Sequence, residues 1–154
     1  MTPQARAPAL EAWVRLLRGH AGATRTLNGR LVREHGLTIN DYEALLLLAN
    51  AENGALRRID LARDLELSPS GVTRLLDGLE GAGLVKKATC ATDGRVSYAV
   101  VTDAGRAKLD DASRFYFAAM DELFERYSPE ELQALAELLG RLPGSNRVSC
   151  PLGE

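Results

Sequence analysis

The 154-residue chain has few of the residue types that metal sites, disulfide frameworks and common catalytic centres need. It contains two cysteines, Cys90 and Cys150, and two histidines, His20 and His35. No CxxC or His-rich segment surrounds the cysteines, which predicts two free thiols and no zinc site. Neither histidine lies near a Ser or Cys nucleophile motif, and no Gly-rich phosphate loop is present. We therefore expect a protein that is not an enzyme and that holds no metal or cofactor.

Long apolar runs are also missing. No run approaches the roughly 20 apolar residues that span a bilayer, and the N-terminal stretch MTPQARAPALEAW contains no apolar segment of the signal-peptide type. Hydrophobic residues make up 45% of the chain and charged residues 26%, which is typical of a globular protein. The length suits one domain with a real core. We expect a soluble, cytoplasmic protein that does not bind a membrane.

A strong positive charge, the usual mark of a nucleic-acid partner, is absent from the chain as a whole. The formal net charge is −2. Residues 55–108 nevertheless contain nine basic and seven acidic side chains, whereas residues 109–154 contain four basic and nine acidic ones. Because the acidic excess lies near the C-terminus, the middle of the chain is mildly basic, and this distribution permits DNA binding without requiring it.

The stretch LSPSGVTRLLDGLEGAGLV, residues 67–85, predicts a short amphipathic helix. Ser68 is a good N-cap, and Pro69 suits the first helical position. The apolar face contains Val72, Leu75, Leu76 and Leu79. The opposite face contains Ser70, Thr73, Arg74 and Asp77. Hydroxyls and a guanidinium near a helix N-terminus suit DNA base edges and phosphates. The alternative interpretation of this face is an ordinary solvated surface.

A second short helix precedes this one. Residues 57–67 predict a helix with four inward side chains, Ile59, Leu61, Ala62 and Leu65. Only three residues separate the two helices, which describes a helix-turn-helix with the second helix as the recognition element. Many such turns have Gly where Glu66 stands, so the turn departs from the common pattern.

The segment after the two helices predicts a β-hairpin. Leu84 and Val85 begin one strand, residues 96–101 form another, and Asp93-Gly94 is a strong turn signal between them. Three basic side chains lie on or near the hairpin, Lys86, Lys87 and Arg95. An Arg at the tip of such a wing can enter the minor groove of DNA. A solvated surface hairpin is the alternative.

Long helices are predicted on both sides of this central region. The first covers residues 8–35 and stops at Gly36, with a bend or break expected at Gly19, Gly22 and Gly29. A further helix begins at Asn40 or Asp41 and ends near Asn53.

The C-terminal helices begin at clear caps. Thr102 starts a helix that continues through Phe124, and Ser128 starts another, with Glu131 completing a capping box. The last helix has an apolar stripe of Leu132, Leu135, Leu138, Leu139 and Leu142. Because little of the chain remains to cover these helices, we expect a second subunit to cover them.

Several motifs in this order resemble the MarR family of bacterial transcription regulators. They are the segment LARDLELSPSGVTRLLDGLEGAGLVKK, then DGR at residues 93–95, then VTDAGRAKL, with Val101-Thr102 in place of the family's Leu-Thr. The resemblance implies a mainly α fold with a small β-hairpin wing, in one domain of residues 1–154. Its parts would be a winged helix-turn-helix lobe at about 37–102, dimerisation helices at about 8–36 and 103–143, and a flexible tail at 144–154.

The resemblance also implies a function. It predicts a homodimer that binds the double-stranded DNA of a pseudo-palindromic operator, acts as a repressor, and is released by an anionic aromatic small molecule. The predicted DNA contacts are Ser68, Ser70, Gly71, Thr73, Arg74, Lys86, Lys87 and Arg95. Asp93 would brace the wing. Asp77 is expected to bond within the protein, because a carboxylate facing phosphates would repel them.

The family's effector cleft suggests three ligand-binding candidates, and each has an ordinary alternative or a rival. The candidates are Trp13, His20 and Tyr42, although Trp13 also fits the apolar core and His20 a plain surface position. One rival function is a thiol-oxidation sensor at Cys90, whose pKa the nearby Lys86 and Lys87 could lower. Another is a winged-helix adaptor that binds proteins and no DNA.

Overall fold

The fold is mainly helical with a small sheet, as predicted. The computed structural model describes residues 3–143, with side chains from residue 7 onward, so the predicted tail and Cys150 lie outside it. In that range it contains α1 (Pro3–His35), α2 (Ile39–Asn50), β1 (Ala55–Arg57), α3 (Arg58–Asp64), α4 (Pro69–Gly81), β2 (Val85–Thr89), β3 (Ser97–Val101), α5 (Asp103–Phe124) and α6 (Pro129–Leu139).

The chain forms two compact units, one ending at Ile39 and the other beginning at Asn40. In the first unit, α1 is a single uninterrupted helix, so the break expected at its three glycines does not occur. A glycine weakens a helix interior by about 1 kcal/mol relative to Ala, which a helix of this length tolerates. The predicted stop is confirmed, because Gly36 has a φ of 68°.

The start of α2 differs from the prediction. The helix begins at Ile39, before both Asn40 and Asp41, so neither of those residues is its N-cap. The backbone N–H of Ile39 donates to Asn28 Oδ1 at 3.0 Å. This side chain lies eleven residues upstream, outside the range of a local capping motif.

A third strand, β1, was not predicted. It pairs antiparallel with β3, which lies between β1 and β2 in the sheet. Because Arg57 belongs to this strand, α3 starts one residue later than predicted. It also ends earlier, at Asp64, and Glu66 then adopts a φ of 54°. This left-handed conformation is the one in which Gly is most easily accommodated.

The core of the second unit lies beneath the helix-turn-helix and the sheet. Its buried side chains include Leu45, Leu48, Leu61, Val72, Leu76, Leu79, Val85, Ala99, Leu109 and Ala112. Full burial of a Leu contributes about 1.5–3 kcal/mol. Of the predicted inward residues of α4, Val72, Leu76 and Leu79 are buried, and Leu75 is half-buried. The prediction for Ile59 is wrong, since this side chain is 73% exposed; it lies about 200° around the helix from Leu61.

Among residues 3–143, none of the helices has the length and hydropathy of a bilayer-spanning segment.

A short polar motif connects the start of α5 with the residues that follow α4. Thr102 Oγ1 accepts from the backbone N–H of Gly105 at 3.0 Å and donates to the carbonyl of Gly83 at 2.7 Å. A Cβ at Gly105 would overlap the carbonyl oxygen of Leu84 and crowd Val101. The segment TDAG, residues 102–105, therefore provides a helix cap at Thr102 and, at Gly105, a position where the backbone of α5 approaches the backbone of Leu84 closely.

We expect Gly105→Ala to destabilise the fold by about 1–3 kcal/mol, because the added methyl group has no space and backbone must move. Urea unfolding followed by circular dichroism measures this change. The matched control is Gly78→Ala, since a Cβ there meets open space and should raise stability by up to about 1 kcal/mol. Equal stability of Gly105→Ala and the wild-type protein would show that this close approach is not a constraint.

Candidate nucleic-acid interface

The recognition helix α4 begins with two exposed hydroxyls. Ser68 is the N-cap, and its Oγ accepts from the backbone N–H of Gly71 at 3.1 Å. Ser70 Oγ lies 3.2 Å from Ser68 Oγ. The Ser-Pro opening was predicted from the sequence and is confirmed. Because both hydroxyls are exposed, each keeps hydrogen-bonding capacity toward a partner outside the chain.

Thr73 and Arg58 form a hydrogen-bonded pair between α4 and α3. Thr73 Oγ1 donates to the carbonyl of Pro69 at 2.8 Å and accepts from Arg58 Nη2 at 2.7 Å. Arg58 was not among the residues predicted from the sequence to contact DNA. The signal available for it was the Arg57-Arg58 pair directly before the helix-turn-helix.

The exposed face of α4 continues with Arg74 and Asp77. The Arg74 side chain makes no hydrogen bond or ion pair with any described residue. Asp77 accepts from Lys87 Nζ at 2.7 Å, and Glu80 lies 3.0 Å from the same ammonium. The Lys87 hydrogen bond holds the pKa of Asp77 below its usual value, and both carboxylates raise the pKa of Lys87. The prediction that Asp77 bonds within the protein is confirmed.

Lys86 and Lys87 differ in their surroundings. Both are exposed residues of β2. Lys87 is bound to two carboxylates of α4, whereas the Lys86 side chain makes no hydrogen bond or ion pair within residues 7–143. Their predicted role in DNA binding stays a prediction. The contacts of Lys87 link the wing to the recognition helix.

The wing tip is organised by Asp93. Its Oδ1 accepts from the backbone N–H of Arg95 at 3.0 Å, and its carbonyl accepts from Val96 at 3.0 Å. This geometry agrees with the turn predicted at Asp93-Gly94 and supports a bracing role for the carboxylate. The Arg95 side chain is exposed and has no partner in the described part of the chain.

A cleft of about 460 Å³ lies between α3, α4 and the wing. Its lining includes Arg58, Ile59, Val72, Thr73, Arg95 and Val96. The recognition helix and the wing therefore face one space that has cationic side chains and an apolar floor. Such a surface can accept a polyanion along its charged side chains.

The three candidate ligand residues do not line this cleft. Trp13 is 56% exposed, so it is not part of the chain's own core, and His20 is exposed in the same unit. Tyr42 is buried in the second unit, where its hydroxyl lies 3.0 Å from Ser113 Oγ and its ring stacks on Tyr116 with centroids 4.4 Å apart. Tyr42 thus has a structural role in the core.

The Cys90 thiol lies in the wing loop, 3.1 Å from Thr92 Oγ1. The Thr92 hydroxyl, followed by the backbone N–H groups of Thr92 and Asp93, holds the pKa of Cys90 below its ordinary value. The prediction named Lys86 and Lys87 as the cause, and this is wrong. Neither lysine contributes to the lowering.

We expect Cys90 to be alkylated by iodoacetamide at a lower pH than an ordinary thiol, because the lowered pKa makes its thiolate available earlier as the pH rises. Rates measured against pH in a Cys150→Ser background isolate this thiol. Thr92→Val removes the hydroxyl and should move the profile to higher pH, whereas Thr92→Ser should not. If the pH profile of alkylation is the same in Thr92→Val as in the parent protein, the Thr92 hydroxyl does not lower the pKa of Cys90.

Comparison with known proteins gives a consistent result. A model described as the MarR family matches residues 35–96. The chain is similar to the HTH-type transcriptional repressor YetL of Bacillus subtilis, with 30% identity over 107 residues. That match covers 70% of this chain and 64% of the relative, so it spans less than two thirds of the relative's length.

Solved structures extend the similarity over most of both chains. Sco5413, a MarR family transcriptional regulator from Streptomyces coelicolor, has 30% identity and a TM-score of 0.76, with 86% of this chain and 90% of that chain covered. Sco3205 from the same organism, solved in complex with DNA, has 26% identity and a TM-score of 0.80, with 86% and 83% covered. CouR from Rhodococcus jostii RHA1, bound to p-coumaroyl-CoA, has 26% identity and a TM-score of 0.70, with 81% and 86% covered.

Proposed function

This chain belongs to the MarR family of transcription regulators, and from that premise we propose that it is a homodimeric repressor. It binds a pseudo-palindromic operator through α4 and the wing, and an anionic aromatic molecule releases it. The observation that carries the proposal is the division of α4 into two faces. Val72, Leu76 and Leu79 are buried, whereas Ser70 and Arg74 are exposed and the Arg74 guanidinium is unpaired within the described residues.

The proposed DNA contacts divide into two kinds. Ser70 and Arg74 on α4 would reach base edges in the major groove, with Ser68 and Gly71 beside them at the start of the helix. Thr73 would take part through Arg58, to which its hydroxyl is hydrogen-bonded. Lys86, Lys87 and Arg95 would add charge from the wing, with Arg95 in the minor groove and Asp93 holding its backbone. The related Sco3205 was solved in complex with DNA, which supports DNA binding as the activity of this chain.

The proposed dimer would use the helices outside the central lobe, at about 8–36 and 103–143. In the first unit, Leu10, Trp13 and Leu17 are 63%, 56% and 49% exposed. In the second unit, α6 has no buried residue, and Leu138 is 58% exposed. Large apolar surfaces of this kind are uncommon on monomers and support burial against a second copy.

Repression and an effector are the finer parts of the proposal. The similarity to a repressor, YetL, and to CouR bound to p-coumaroyl-CoA, supports them. Trp13 and His20 remain the candidates for effector contact. Tyr42 is buried, so we propose that its effect on effector binding is indirect, through the packing of the core. The lowered pKa of Cys90 keeps thiol oxidation as a second means of release.

Selection of bound fragments from random DNA tests the proposal. We expect enrichment of an inverted repeat whose half-sites lie about one helical turn apart, 10 base pairs centre to centre, because a two-fold dimer presents two recognition helices. The protein-interaction adaptor predicts no enrichment, even at low salt. Enrichment of a single half-site would support DNA binding and would contradict the proposed dimer.

A further inference from the structure

The guanidinium of Arg58 differs from those of the two neighbouring arginines in having no carboxylate partner in the described structure. Arg57 and Arg63 both bind Asp60, at 2.6 and 3.1 Å. Arg58 is half-buried, and among the described residues its side chain donates one hydrogen bond, to Thr73 Oγ1. Its charge lowers the pKa of Asp77, but that carboxylate already binds Lys87. The charge of Arg58 therefore remains available to an external anion.

The hydroxyl of Thr73 fixes where this charge lies. A Thr hydroxyl has one proton to donate and two lone pairs. The proton is used by the carbonyl of Pro69, and one lone pair by Arg58. Thr73 consequently has no donor left for a phosphate or a base acceptor, and its two bonds hold the Arg58 guanidinium against α4.

The position of Arg58 in the fold indicates which anion it meets. It starts α3, the first helix of the helix-turn-helix, and lines the same cleft as Arg95. The first helix of such a motif crosses the DNA backbone, whereas the second reads base edges. A guanidinium with free N–H donors at this place suits a phosphate oxygen.

We propose that Arg58 is a DNA phosphate contact of this protein and that Thr73 is its positioning residue, not an independent DNA contact. The inference rests on the proposed function and deepens it. It assigns to Thr73 an indirect role and adds to the interface a cation that the sequence analysis did not include.

The salt dependence of binding tests the charge. With the inverted repeat selected by the wild-type protein, Arg58→Gln should weaken binding on the order of tenfold for each subunit, and so about 100-fold for the dimer. It should also make the plot of log affinity against log salt shallower by about 0.9 per subunit, the slope of one phosphate contact. Arg58→Lys should retain most of the slope. Arg63→Gln, which removes from the same helix a guanidinium already paired with Asp60 and Asp64, is the matched control and should leave both quantities nearly unchanged.

A double-mutant cycle tests the positioning role. Thr73→Val should weaken binding in the wild-type background and have little further effect in Arg58→Gln, because both changes disable the same contact. Thr73→Ser keeps the hydroxyl and should bind like the wild type. Thermal unfolding of each variant shows whether it is folded.

The outcomes separate the two proposals. If the wild type selects an inverted repeat and Arg58→Gln binds it with unchanged affinity and slope, the inference on Arg58 is wrong and the proposed function stands. If the losses of DNA-binding free energy caused by Thr73→Val and Arg58→Gln are additive, Thr73 contacts DNA independently. If the wild type selects no DNA, the proposed function fails and the inference fails with it.

Discussion

Arg74→Ala should weaken binding to the selected operator by about 1–3 kcal/mol, roughly 5- to 150-fold, and should relax the preference for one base pair in each half-site. The physical reason is that Arg74 lies on the exposed face of α4 with an unpaired guanidinium among the described residues. A bidentate contact from Arg to a guanine edge is the commonest specific contact in the major groove. Fluorescence anisotropy with the operator and with single-base variants measures both effects.

Two comparisons make the Arg74 result specific. Arg74→Lys keeps the charge but cannot form the planar two-donor fork, so it should retain the salt slope and lose base discrimination. The folded state should be unaffected, because the side chain contacts nothing that stabilises the lobe. Equal weakening on all sequences would instead assign Arg74 to the phosphates.

Leu138→Asp should convert the dimer to a monomer at micromolar concentration and lower operator affinity by about 100-fold or more. Leu138 lies on the apolar stripe of α6 and is 58% exposed in the single chain, so a carboxylate would be buried without a partner in the proposed dimer. Binding two linked half-sites raises the affinity about 10²- to 10⁴-fold over binding one. Light scattering after size exclusion gives the mass, and anisotropy gives the affinity.

The matched control for the dimer prediction is Gln133→Asp on the same helix. Gln133 is exposed and lies about 160° around α6 from Leu135, so the added charge stays in water. This variant should remain a dimer and bind the operator normally. A Leu138→Asp protein that still elutes at twice the chain mass would exclude α6 from the dimer contact.

The parts of the fold that sequence predicted well depend on short-range chemistry. Ser68 and Pro69 at the start of α4, and Thr102 before α5, are caps whose partners lie within three residues, and the structure confirms both helix starts. The turn at Asp93-Gly94 is local in the same way. Such features can be predicted because the interacting atoms are close together in the sequence.

The parts that sequence missed depend on distant partners. β1 is three residues long and exists through its pairing with β3, more than forty residues later. Arg58 acquires its orientation from Thr73, and Lys87 is held by Asp77 and Glu80. Tyr42 is buried against residues of α5. No local sequence pattern predicts contacts of this kind. From residue type alone, each of these polar side chains would be expected to be exposed to solvent.

The central claim is that the exposed face of α4 lies in the major groove of DNA. The most direct measurement is an experimental structure of the protein bound to its selected inverted repeat. We predict that two copies of the chain place the first turns of α4 in successive major grooves, with Ser70 and Arg74 within hydrogen-bond distance of base edges or adjacent phosphates. A complex in which α4 packs against protein, or lies away from the groove while the DNA stays bound, would contradict the claim.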